Sequence, residues 1–271
     1  MSIPNTPIVN AGLLYANGLQ LSAQIAIGAM TPKQVTMQLG AARNSTNIND
    51  ILLEPTAATP DAPTTAVTPI VINGAKVGAN GVDVAVLVAS SLYAVYIIGD
   101  STGYQPTAGL LSLNVSTPVL PGGYPSGGYD MYRRIGWVLT DGSANILQFW
   151  QYGSDETRTY YYDVGISVLS AGAATTFTPV NLSTAVPPIA TEVLLNYTFT
   201  GTATTDLAEF LPYGSVATSG IVQLSGGVTT AQVGMVWVPI ELNAGVPTLL
   251  YKVTGTATLT LLVAGFKDYI S

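Results

Sequence analysis

The chain has 271 residues, a net charge of −7 and only 8% charged side chains, and it contains no histidine and no cysteine. Soluble domains average about 25% charged residues. Acid–base catalysis near neutral pH relies mostly on His, and nucleophiles and transition-metal ligands come mostly from Cys, His and activated Ser, so a structural or binding protein is expected, without enzyme activity, cofactor or metal. Eight Lys plus Arg against fifteen Asp plus Glu leave little to neutralise phosphates, which argues against nucleic acid as a partner. The chain is long enough to bury a sizeable core without a disulfide or metal staple.

No stretch reads as a membrane helix. Met1–Pro32 is uncharged but lacks a basic start and an unbroken apolar run. Phe210–Ile240 is also uncharged, yet Pro212, Gly214, Gly220, Gly226, Gly227 and Pro239 break it, whereas a spanning helix needs about 20 apolar residues in a row. An outer-membrane barrel would need an export signal, and none is read here.

Helical periodicity is weak throughout, and strand signals are frequent. Asn17-Gly18 reads as a turn between two apolar runs. Glu54–Pro69 carries Pro55, Pro60, Pro63 and Pro69 and reads as an extended connection. Asp83–Val88 and Leu92–Ile98 read as strands. Tyr132–Thr140 and Ala144–Tyr152 flank Asp141-Gly142-Ser143, a hairpin turn signal. Arg158–Val168, Glu192–Thr200, Gly220–Leu224, Gln232–Ile240, Thr248–Thr254 and Thr256–Phe266 complete the set. Ser170–Thr176 is small and polar. It divides the chain into an N-terminal docking segment with a first β-sandwich, residues 1–169, and a second β-sandwich, residues 170–271, both jelly-roll-like. Tyr197–Thr204 echoes Tyr251–Thr258. The echo reflects either shared composition or two equivalent edges of one sandwich, since a solenoid needs at least three copies.

The candidate chemistry is thin. Gly99-Asp100-Ser101 resembles a hydrolase Ser block but has no His to activate it, so a local turn is expected. Asp155 and Glu156 are neighbours that point apart, a poor arrangement for glycoside hydrolysis, and they read as a solvated loop. The sequons at Asn44, Asn114, Asn181 and Asn196 are expected by chance in so Ser- and Thr-rich a chain. Arg133 and Arg134 open a strand, so one of them faces inward and needs a carboxylate. Asp130, Asp100 and Asp83 are the candidates, and a structural ion pair of Arg133 and Arg134 with Asp130 is expected. Fifteen Tyr against five Phe draw attention to the loops Pro121–Gly128 and Gly153–Thr157. Tyr124, Tyr129, Trp150 and Tyr152 lie in or beside them and form the expected contact surface, since amphipathic rings serve protein and sugar contacts alike.

A set of motifs then stands out: Ala79-Asn80-Gly81-Val82-Asp83, Tyr93–Ser101, Thr107-Ala108-Gly109-Leu110, Leu120-Pro121-Gly122-Gly123-Tyr124, Asp130–Val138 and Phe149-Trp150-Gln151. Together, over about a quarter of the chain, they resemble a module of tailed-bacteriophage virion proteins, of tail-fibre and appendage type. Pro125–Tyr129 departs from that pattern as an insertion that lengthens the Gly-rich loop. The resemblance implies a β-rich particle component: a homotrimeric tail-fibre, head-fibre or decoration subunit assembled in the host cytoplasm, contacting itself and other virion proteins. A carbohydrate-binding receptor module that takes a host surface glycan is the first alternative, and a glycosidase or depolymerase the second. Whether Ca²⁺ sits at a subunit interface is left open.

Overall fold

The computed structural model describes residues 16–17, 21–22, 32–37, 40–46, 50–53, 70–102, 105–122, 128–153, 157–225 and 231–269. Every regular element among them is a strand, in keeping with the many β-branched and aromatic residues and the recurring Gly and Pro of the sequence. In chain order these are β1 (Ala16–Asn17), β2 (Leu21–Ser22), β3 (Gln34–Met37), β4 (Gly40–Arg43), β5 (Asp50–Leu53), β6 (Ile70–Asn73), β7 (Gly81–Val82), β8 (Leu92–Gly99), β9 (Ala108–Ser112) and β10 (Met131–Leu139). There follow β11 (Phe149–Gly153), β12 (Thr157–Gly172), β13 (Thr178–Asn181), β14 (Ala190–Thr200), β15 (Leu207–Pro212), β16 (Val222–Ser225), β17 (Gln232–Pro239), β18 (Glu241–Asn243), β19 (Val246–Val253) and β20 (Thr258–Tyr269).

The expected all-β fold is present. A long sheet, ordered β11-β12-β20-β14-β17, faces a second sheet, ordered β13-β19-β15-β16, with β18 on β19. Between them lie Val193, Leu195, Phe199, Leu259, Leu261 and Val263 from one side and Val180, Phe210, Leu249 and Val253 from the other, all buried. Alternation along each strand supplies the two inner faces, the ordinary build of a β-sandwich. The N-terminal part centres on a sheet ordered β10-β8-β9-β7, with two small sheets, β1-β4-β5 and β2-β3-β6, against it. Its central strand β8 is buried on both faces from Tyr93 onward, which is why Leu92–Ile98 reads as an unbroken apolar run.

The two parts meet at a polar joint. Arg158 and Asp268 are cross-strand partners on β12 and β20. Asp268 has no exposed surface, and its Oδ2 accepts the indole N–H of Trp137 at 2.6 Å. Arg134 lies 4.0 Å from Asp268 Oδ1, with its guanidinium 5.2 Å from the Trp137 ring centre. A bulge interrupts β10 between Arg134 and Gly136, and the Ile135 carbonyl accepts from the Arg158 guanidinium at 2.6 Å. Bulges re-aim side chains in this way, and this one sets Arg134 and Trp137 on the same side. Tyr160 stacks on Phe266 at 4.6 Å and accepts from Gln151 at 2.6 Å.

Several expectations are corrected. Asp83–Val88 is a bent segment, because the sheet ends at β7 and Asp83 is held by the Ser112 hydroxyl at 2.5 Å and the Val119 N–H at 3.1 Å. Asp141 does organise the turn before Asn145, accepting from Ser143 N at 2.7 Å and Asn145 N at 2.9 Å. The hairpin, however, is a single bridge, Thr140 to Ile146, and β11 departs for the long sheet. β12 runs straight through the expected boundary at 169/170, so the change of sheet falls between β10 and β11. The carboxylate at Arg134 is Asp268. Asp130 instead accepts the backbone N–H of Ser101 at 2.7 Å and the Ser101 hydroxyl. The Asn17-Gly18 turn, the Glu54–Pro69 connection and most of the docking segment lie outside the described residues.

The echo is geometric. Its two turns, one leaving β14 and one leaving β19, meet where the Thr202 and Thr256 hydroxyls lie 2.9 Å apart. Asp206 binds the first turn through Thr202 N at 2.6 Å and Ala203 N at 2.9 Å. Gly255 of the second turn has φ +63, and a Cβ there would stand 2.7 Å from Asp206 Oδ1. The two turns thus meet at one end of the sandwich, but β14 and β19 are interior strands of their sheets and not equivalent edges.

Removing the carboxylate of the joint leaves buried cations uncompensated. Asp268→Ala is expected to destabilise the chain by about 3–5 kcal/mol in urea denaturation, and a loss below about 1 kcal/mol would show the joint is not coupled to the fold. The pH profile follows from the other charges. Backbone N–H groups hold Asp206 and Asp141 below the usual carboxylate range. Burial pushes Glu209 up, but the Gly220 N–H and Lys252 outweigh it, so it too is lowered. Burial pushes Tyr96 up to about 12, against the pull of Arg134, and raises Tyr160 and Tyr162 as well. Depressed acids stabilise the fold above their unfolded pKa and lose that effect as pH falls, here below about pH 4. Raised tyrosines lose theirs as pH rises beyond about 10. The melting temperature should therefore be nearly flat between about pH 6 and 8 and fall at both extremes.

Candidate functional site

The outer face of the long sheet carries a row of rings. Trp150 and Tyr161 are cross-strand partners on β11 and β12. The row continues through Gly265 on β20 and Leu194 on β14 to Trp237 on β17. The next row runs from Tyr152 and Thr159 to Lys267 and Glu192. Tyr152 meets the Tyr161 ring edge-on at 5.8 Å, and Tyr161 meets Trp237 at 6.2 Å, likewise edge-on. Two intervening strands separate these last two residues, so each ring lies along the sheet toward the other. Leu194, between them, is only 5% exposed although it points outward. Gly265 is required beneath this row: a Cβ would stand 2.1 Å from the Tyr160 carbonyl oxygen and 3.3 Å from Tyr161 Cα.

Lys267 adds charge at one side. Its Nζ lies 4.6 Å from the Trp237 ring centre and pairs with Glu192 Oε2. Trp150 is 41% exposed and Tyr152 56% exposed.

The polar tips separate this cluster from the core aromatics. Inside, Trp137 donates to Asp268, Tyr96 to the Asn114 carbonyl and Tyr162 to the Ala185 carbonyl, while Tyr93 accepts from the Val88 N–H. On the outer face, the indole N–H groups of Trp150 and Trp237 and the hydroxyls of Tyr152 and Tyr161 find no acceptor or donor among the described residues. Buried tips are usually satisfied within the protein, so these four face a ligand or water.

The expected contact surface is therefore divided. Trp150 and Tyr152 belong to the face. Tyr129 does not: it packs against the core, donates to the Pro106 carbonyl at 2.9 Å, and burial raises its pKa. Tyr124, Asp155 and Glu156 lie outside the described residues. Trp237 was missed because it lies on a distant strand, and Tyr161 because only alternation within Tyr160-Tyr161-Tyr162 marks the middle ring as outward.

Other carboxylates serve turns and ion pairs. Asp100 accepts from Thr102 N at 2.8 Å and Gln105 N at 2.9 Å, the turn expected of Gly99-Asp100-Ser101. Glu209 pairs with Lys252 at 3.0 Å. Among the described residues no group of three or more His, Cys, Asp or Glu side chains comes together to hold a metal ion, and no helix is long and apolar enough to cross a membrane. No protein-family model, curated protein or solved structure matches the chain.

Two variants probe this face. Gly265→Ala should destabilise by about 1–3 kcal/mol, because backbone must move to admit the methyl group, and should alter the near-ultraviolet circular dichroism of the rings. Trp150→Ala with Tyr152→Ala should leave stability within about 1 kcal/mol, as at other exposed positions. Global unfolding of that double variant would show that these rings belong to the core.

Proposed function

We propose that this chain is a non-enzymatic structural subunit of a bacteriophage particle, of tail-fibre or head-decoration type, which works as a homo-oligomer by contact and not by chemistry. The observation that carries this reading is the exposed aromatic face on an all-β frame in which Asp100, Asp141 and Asp206 hold turns and Glu192 and Glu209 pair with lysines. It is supported by the resemblance, whose motifs Tyr93–Ser101, Thr107–Leu110 and Asp130–Val138 come together around β8, β9 and β10 in one sheet. The subunit would fold in the host cytoplasm and act in the assembled virion. Immunogold labelling of purified particles with an antibody to this chain tests the proposal. Gold at a defined place on the particle is expected. Absence of the chain from particles by mass spectrometry, with the chain abundant in the soluble lysate, would overturn it.

One observation favours a second reading. Rings with free polar tips beside an ammonium–carboxylate pair suit a pyranose, which offers an apolar C–H face and hydroxyl groups at its rim. A net charge of −7 with eight cations disfavours a polyanion, so a neutral host-surface glycan is the fitting ligand. Binding to neutral oligosaccharides on an array is expected, with at least a tenfold loss in Trp150→Ala and Trp237→Ala at unchanged far-ultraviolet circular dichroism. Equal binding by these variants would place any glycan site elsewhere.

A further inference from the structure

The free edges of the sheets are not equally protected. Natural β proteins blunt an open edge with brevity, charge, proline, a bulge or a covering element. β1, β2 and β7 have two residues each, β18 three, and β5, β6 and β16 four. β13 is also short and contains Pro179, which has no N–H to offer. β10 is bulged, and Arg158 sits on its Ile135 carbonyl. β11 has five residues and ends at Gly153, whose φ is +116.

β17 has neither brevity, charge nor a bulge, and its one proline, Pro239, is its last residue. It runs for eight residues and pairs with β14 from Gln232 to Pro239 without a register shift. No charged residue occurs from Phe210 to Ile240. No strand pairs with its outer edge among the described residues. Val233 and Met235 point outward and are 75% and 67% exposed.

We propose that β17 is a self-association strand, pairing antiparallel with β17 of a second copy about a two-fold axis and joining the two long sheets into one. Three features select a second copy. Among the described residues no strand lies beside its outward row of backbone N–H and C=O groups, and a further strand offers the matching row. An antiparallel pair of identical strands is self-complementary and closes at two copies. The strand is neutral, so although each chain carries −7 overall, no like charges oppose one another across the new pair. Val233 and Met235 then meet the equivalent residues of the partner on the outer face. This gives a two-fold assembly in place of the three-fold one that the resemblance implies, and it does not rest on the virion reading.

Size-exclusion chromatography with light scattering on the intact chain, over a concentration series, tests the proposal. The expected mass is twice 28.0 kDa. Val233→Lys with Met235→Lys places like charges across the pair and should give a single chain with unchanged far-ultraviolet circular dichroism. Hydrogen exchange should show the outward-facing amides of β17 protected in the parent and exchanging in the variant. If the lysines unfold the chain, Val233→Thr with Met235→Thr keeps β propensity and should weaken the dimer at least tenfold. A parent that stays monomeric at high concentration, a trimer, or folded variants that keep the parent's dimer affinity would each overturn the pairing.

Discussion

A buried carboxylate holds this architecture together. Asp268 lies near the end of β20 with no exposed surface, and a carboxylate so placed costs several kcal/mol unless cations and donors surround it. Arg158 comes from the neighbouring strand, while Arg134 and the Trp137 indole come from the N-terminal sheet. The buried carboxylate therefore gains the Trp137 hydrogen bond and the Arg134 charge only when β10 is in place. The joint fixes where one sheet sits on the other, a result that apolar packing alone specifies less sharply.

The same stretch of β20 serves both faces of its sheet. Before the irregularity at Ala264, Leu259, Leu261 and Val263 point inward; after it, Phe266 and Asp268 do. One extra residue reverses the parity, so the inner face continues from sandwich core to joint without a gap. The outer face receives Gly265 and Lys267, which make room for the rings and place a cation beside them. The joint and the aromatic face are thus opposite sides of one short segment. β20 is also central in its sheet and pairs with β12 and β14, both of which lie far from it in the sequence. Such non-local pairing slows folding.

Much of the strand content was legible because Thr, Val and Tyr alternate over lengths that strands use. Leu92–Ile98, Tyr132–Thr140, Glu192–Thr200, Gln232–Ile240 and Thr248–Thr254 each lie on an observed strand. Asp83–Val88 has equally good alternation, but no neighbour remains for it to pair with at the sheet's end. β9, with Ala108 and Gly109 at its start, has too little local preference to stand out. The partner of Arg134 was hidden for a different reason. Asp130 is near in sequence and Asp268 is not, and burial, which decides the pairing, is a tertiary property. The aromatic face was half legible: Trp150 and Tyr152 lie beside a loop that drew attention, whereas Trp237 joins them only through three further strands.

Scarcity of charge links these features. Arg133, Arg134 and Arg158 are buried, while Lys252 and Lys267 each face a carboxylate and an aromatic ring. Few cations remain to shape a long-range field, and the acids that define turns have their oxygens directed at backbone N–H groups. The surface therefore offers neutral hydroxyls, amides and rings. Contacts made through such groups depend on shape and hydrogen bonding, and they weaken little as ionic strength rises, because screening acts on exposed charge. The same scarcity removes the usual electrostatic guard from strand edges. Each edge must then be shortened, bent, covered or paired, and the proposed pairing of β17 is the last of these.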